Sequence, residues 1–135
     1  MKLIIVGMGT QGLKRKKHLK KDFVCYVDKY KNKALYKSIF QVPLKNFDAA
    51  LICVPDNEKY RIIKYCLENK KHVLIEKPLI LKNNNKFTEL EKISKKNKVI
   101  CYVAYNHRFE PGIIEIKNLL KRKVLGKVYS CKIFY

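Results

Sequence analysis

Three glycines, Gly7, Gly9 and Gly12, follow the apolar run Leu3-Ile4-Ile5-Val6 in the spacing GxGxxG. These residue types suit the binding of a pyrophosphate. Gly7 permits a tight turn off a strand, Gly9 lets the backbone approach an anion with no Cβ in between, and Gly12 lets the next helix pack close to a sheet. A helix beginning at Thr10 and Gln11 would then present unpaired N–H groups at its positive end, where an anion is stabilised.

An acid completes the pattern. Asp28 ends the apolar run Phe23-Val24-Cys25-Tyr26-Val27 and lies 19 positions beyond Gly9. That is close to the ~20-residue offset at which a carboxylate at the end of a second strand reaches the adenosine ribose hydroxyls of a dinucleotide. A carboxylate there repels a 2′-phosphate and so favours NAD, while Lys29, Lys31 and Lys33 soften that preference and leave NADP open. The plainer reading of Asp28 is a strand end or a helix cap.

These residues need a scaffold, and the hydrophobic pattern supplies one. Runs at 3–6, 23–27, 48–54, 71–75 and 99–105 are apolar without alternation, which marks strands covered on both faces. Helices are expected over 10–21, where Leu13 and Leu19 make a thin stripe, over 31–39, and after Pro55, where Ile62, Ile63, Cys66 and Leu67 recur at helical spacing. Another carries Phe87, Leu90 and Ile93, and a last one starts at Pro111 with Ile113, Ile116 and Leu120 on one side. The fold class is α/β: a Rossmann-type doubly wound parallel sheet with helices on both faces. Val128 to Tyr135 reads as one more strand, with an exposed edge that invites a partner.

Composition narrows the functional classes. The chain has 135 residues, single-domain length, with 47% hydrophobic residues to build a core. Its formal charge of +20 invites a nucleic-acid reading. Yet only Arg15, Arg61, Arg108 and Arg122 supply the planar guanidinium favoured for phosphates and bases, and the lysines are spread from end to end as a solvated surface. No specific nucleic-acid partner is expected. Five cysteines form no metal-ligand spacing and sit mostly among apolar residues, so no metal site is expected and a reducing cytoplasm fits. The opening apolar run is too short for a secretory leader, and no run approaches a membrane span.

In order along the chain, GMGTQG at 7–12, Asp28, FDAALICVP at 47–55, KHVLIEKPL at 71–79, NHRFEP at 106–111 and VLGKVYS at 124–130 together resemble the Gfo/Idh/MocA family of NAD(P)-dependent oxidoreductases. The resemblance implies an NAD(P)-binding Rossmann domain over 1–123, with 124–135 the first strand of a carboxy-terminal substrate domain that is truncated or missing. It implies that Lys77 lies near the nicotinamide and the substrate hydroxyl, assisting proton transfer or orienting the alcohol. Val54 and Pro55 would border the nicotinamide, and Glu76, Pro78 and Asn106 would shape its pocket.

Two departures limit what carries over. Lys59 stands where this family often has a His, and the family's usual catalytic Asp and His belong to the second domain. His18 and His107 do not replace them, since neither comes with the missing partner carboxylate and a lone His is more often structural. The expectation is therefore an NAD(P)-binding part of an oxidoreductase acting on a sugar, polyol or related hydroxyl-bearing substrate, incomplete for catalysis by itself. The alternative is a non-catalytic dinucleotide-binding or redox-sensing module that works through a protein partner paired with the last strand.

Overall fold

The structure, a computed structural model, describes residues 1–132. The chain divides into two compact units, Met1–Ala104 and Tyr105–Tyr135.

The first unit is a five-stranded parallel sheet. Its strands are β1 (Leu3–Val6), β2 (Phe23–Val27), β3 (Ala49–Ile52), β4 (His72–Ile75) and β5 (Cys101–Val103), in the spatial order β2-β1-β3-β4-β5. Three helices connect them: α1 (Thr10–Leu19), α2 (Asp56–Glu68) and α3 (Asn84–Asn97). The chain runs outward from β1 to β2 and then returns to build β3, β4 and β5 on the other side. The strand order therefore reverses beside β1, and the carboxyl ends of β1 and β3 open a crevice there.

Both faces of the central strands are covered, which is why β1 and β3 are buried at every position. Successive side chains alternate between faces. Ile4 and Val6 join Ile62, Ile63, Cys66, Leu67 and Leu90 in the larger core, against α2 and α3. Leu3 and Ile5 join Met8, Ala49 and Leu51 in a smaller one, with Leu19 of α1 packed against it. The expected stripes of α2 and α3 hold, although Phe87 is largely exposed. In α1, by contrast, Leu13 is exposed and Gly12 is the buried residue. A glycine brings this helix to the sheet where an apolar stripe was expected.

No α-helix forms over 31–39. The Asp28 carboxylate takes the amides of Tyr30 and Lys31 at 2.9 and 3.0 Å, which commits the chain to a turn. Tyr36 then bridges to Val27, and the segment ends in a 3-10 turn, Ile39–Gln41, closed by a reciprocal Ser38–Gln41 cap. Asn83 caps α3: its side chain accepts from the Asn85 amide at 2.8 Å.

The second unit holds a 3-10 turn, Asn106–Phe109, and helix α4 (Pro111–Lys121), which has Pro111 in its first turn. Ile116 and Leu120 of the expected stripe are exposed, and Ile113 is half-buried. Residues 128–132 are not strand, and the remainder of the expected strand, 133–135, lies outside the described residues. A strand exists only through a hydrogen-bonded neighbour, and 128–132 pair with none among the described residues. No helix among the described residues is long and apolar enough to cross a membrane.

Candidate functional site

The glycine turn leaves β1 at the crevice. Gly7 donates its amide to Val27 O at 2.9 Å, extending the β1–β2 ladder by one step, and has φ +93°. A Cβ on Gly7 would lie 2.8 Å from Cys53 O, and one on Gly12 would lie 2.1 Å from Gly7 O. Neither position has room for a side chain. Gly9 differs: its φ is ordinary and an added Cβ would meet nothing within 4 Å. The space over Gly9 is open, and α1 begins directly beyond it.

The first backbone bond of α1 runs from Leu13 N to Gly9 O at 3.0 Å, so the amides of Thr10, Gln11 and Gly12 precede it. Gly9 supplies no side-chain cap, and no acid stands in the first turn. Amides without an intrahelical acceptor at a positive helix end, beside a glycine with open space above it, fit a pyrophosphate.

Asp28 ends β2 beside this turn. Its Oδ2 accepts from the Met8 amide at 2.7 Å, and its Oδ1 takes the two amides already named. Burial pushes the carboxyl up, but the Met8, Tyr30 and Lys31 amides and the Lys31 charge outweigh that and hold it below the usual aspartate range. The group is ionised and acceptor-only, and Oδ2 retains lone-pair capacity for a hydroxyl donor.

The third part of the edge lies at β3 and β4. In register, Val6 pairs with Ile52 and Ile52 with Ile75. The residues that follow, Gly7, Cys53 and Glu76, therefore leave the sheet at one level. Val54 is half-buried, and Pro55, Lys77 and Pro78 are exposed. The Lys77–Pro78 peptide is cis. Glu76 is buried, and its Oε1 accepts from Arg15 Nε of α1 at 2.5 Å, with Arg15 Nη2 on the same oxygen. Burial, aided by the Glu76 charge, pushes the neighbouring Cys53 thiol up to about 11, so it stays protonated at neutral pH.

Lys59 reaches the same segment from α2. It is only 3% exposed. Its Nζ donates to Glu76 O at 2.7 Å and to Pro78 O, and pairs with Asp56 Oδ1 at 2.7 Å. From the sequence, Arg15 has no assigned place in the site, and Lys59 stands only as a departure from a family pattern. Helical period carried the missing signal. Lys59 is three and four positions before Ile62 and Ile63, on the stripe that meets the sheet, and Arg15 sits between Gly12 and Leu19 on the inward side of α1.

Within the first unit, the fold thus brings Gly7, Gly9, Thr10, Gln11, Gly12, Asp28, Val54, Pro55, Glu76, Lys77 and Pro78 to one sheet edge. Asn106 belongs to the second unit, where it is exposed and opens the 3-10 turn. His18 is exposed on α1. His107 Nδ1 lies 2.5 Å from Glu110 Oε1 on an exposed surface.

Residues 2–105 match the model of an oxidoreductase family with an NAD-binding Rossmann fold, GFO_IDH_MocA. The chain is 32% identical over 88 residues to myo-inositol 2-dehydrogenase of Thermotoga maritima, covering 65% of this chain and 26% of that protein. It is 32% identical over 80 residues to scyllo-inositol 2-dehydrogenase (NAD(+)) of Bacillus subtilis, covering 59% of this chain and 23% of that one. It therefore spans about a quarter of the length of these relatives. Among solved structures, the WlbA dehydrogenase of Chromobacterium violaceum, in complex with NADH and UDP-GlcNAcA, superposes with a TM-score of 0.81 at 20% identity, over 96% of this chain and 42% of that one. At that identity the likeness shows the fold.

Proposed function

Since the chain belongs to the Gfo/Idh/MocA oxidoreductase family, we propose that its carboxyl sheet edge holds an NAD lengthwise from β2 to β4, with Lys77 at the reacting end. The family assignment makes this an NAD-binding oxidoreductase domain related to sugar and inositol dehydrogenases. The observation that carries the finer reading is the order of loops along one edge: Asp28 after β2, the glycine turn after β1, Val54-Pro55 after β3 and Glu76-Lys77-Pro78 after β4. Three strand spacings, ~14 Å in all, separate the first from the last. That suits a dinucleotide with its adenosine ribose on Asp28 and its pyrophosphate on the amides of Thr10, Gln11 and Gly12. Its nicotinamide then lies beside Val54, Pro55, Glu76 and Pro78.

Bound NAD supplies the hydride acceptor. The residues of the chain orient it and handle the proton. Lys77 presents an exposed ammonium that orients the substrate hydroxyl or assists removal of its proton. Asp28 disfavours a 2′-phosphate, making NAD the preferred form, and Lys31 beside it leaves NADP a weaker ligand. The substrate class is a sugar, polyol or related hydroxyl-bearing molecule. Turnover draws on a separate substrate domain, in keeping with the share of the relatives that this chain spans.

Titration of the purified chain with NADH, followed by nicotinamide fluorescence or calorimetry, is expected to give saturable one-to-one binding. Asp28→Ala is expected to weaken NADH and shift the NAD to NADP affinity ratio toward NADP. A wild-type chain with no saturable signal would sink the reading, and an unchanged ratio would remove Asp28 from the ribose.

A further inference from the structure

We propose that Lys59 is a positioning residue for Lys77, acting as a buried clamp on the backbone that carries it. The inference rests on the NAD reading and deepens it at the nicotinamide end. The two carbonyls that Lys59 Nζ engages, Glu76 O and Pro78 O, are those on either side of Lys77. Asp56 Oδ1, in the first turn of the same helix, lies 2.7 Å from the same ammonium as an ion pair without hydrogen-bond geometry, and balances its charge. Two donors are committed to the two carbonyls, at a side chain almost wholly removed from water.

The two lysines divide the work. Lys59 is buried and charge-paired, and its flexible stem lets one point charge bridge two carbonyls that a planar group would meet in only one orientation. Lys77 is exposed, and among the described residues its ammonium has no hydrogen-bond or ion-pair partner. The fixed cation sets the path of the backbone from which the available cation projects. Arg15 adds a second hold from α1 by gripping the Glu76 side chain, so helices on opposite faces of the sheet fix the same three residues. A loop held this way keeps Lys77 and the pocket wall at Glu76 and Pro78 in place before a ligand arrives.

The test separates this role from a general contribution to the fold. ADP-ribose carries the adenosine and pyrophosphate but no nicotinamide, so it reads the glycine turn and Asp28 alone. In Lys59→Met, ADP-ribose affinity is expected to stay within about twofold, while NADH weakens about tenfold, the loss of one charge-assisted hold. Lys59→Gln, which keeps two donors for the two carbonyls, is expected to recover most of the NADH affinity and serves in place of Met if that variant does not fold. Hydrogen exchange, which needs no ligand, is expected to accelerate in both variants at Glu76, Lys77 and Leu79, more in Met than in Gln, with β1 and β3 unchanged. Equal loss of NADH and ADP-ribose, or no loss of either, would overturn the clamp, as would exchange that rises across the whole sheet. A wild-type chain that binds neither ligand would overturn the NAD reading instead, while the exchange result still judges the clamp on the backbone.

Discussion

The two ends of the sheet edge are built by different means. At β1 and β2 the site is made of backbone: glycines with no room for a Cβ, amides at the start of α1, and a carboxylate tied to three backbone amides. At β4 it is made of side-chain charge, since Arg15 of α1 meets the Glu76 carboxylate and Lys59 of α2 meets its carbonyl. The first end depends on what the chain cannot accommodate. The second depends on which cations the helices deliver.

Substitutions can break that contrast or sharpen it. The largest effect is expected from Gly12→Ala. In a free helix the change would favour helix by ~1 kcal/mol, but here the new Cβ would meet Gly7 O at 2.1 Å. A loss of about 3 kcal/mol or more in urea denaturation is expected, because backbone must move apart in a packed region. A neutral result would mean that α1 does not reach the sheet through its glycine.

Arg15→Met probes the other end. It leaves the Glu76 carboxylate buried without its guanidinium, and Arg15 itself is 35% exposed. Removing one partner of a half-screened pair is expected to cost about 1–2 kcal/mol. Stability equal to wild type would show that charge does not hold β4's carboxyl end.

The smallest effect on stability is expected from Gly9→Ala, where the Cβ meets nothing. The cost should stay within ~1 kcal/mol, that of a poorer residue in front of a helix. NADH affinity should nevertheless fall roughly tenfold or more, since the methyl occupies the space proposed for the pyrophosphate. Unimpaired binding would put the pyrophosphate elsewhere. The Gly9 and Gly12 variants together separate a glycine that serves the ligand from one that serves the fold.

Legibility in the sequence followed the same division. The strand Phe23–Val27 is found over the residues its apolar run marks, and continuous hydrophobicity announced strands buried on both faces. The sheet order and the crevice beside β1 came only with the fold. The error at 31–39 was local: Asp28 was weighed as a ribose ligand and a cap, but its capture of the next two free amides turns the chain before a helix can start. Leu13 misled because apolar type was read without the steric fact that only Gly12 can lie against Gly7 O. Lys59 and Arg15 were hidden by abundance, since in a lysine-rich chain two inward cations look like the rest unless their helical phase is checked.

By itself the sequence determined the order of the five strands along the chain, the glycine turn and the position of Asp28, because these rest on local conformational limits and on continuous apolar runs, while its motifs carried the resemblance to the family. Tertiary structure alone decided which cations are buried, that Lys59 spans the carbonyls flanking Lys77, and that Glu76 is held by Arg15. Those choices depend on burial and on the meeting of helices from both faces of the sheet at one strand end, and a charge pays the cost of leaving water only where folding has already assembled its partners.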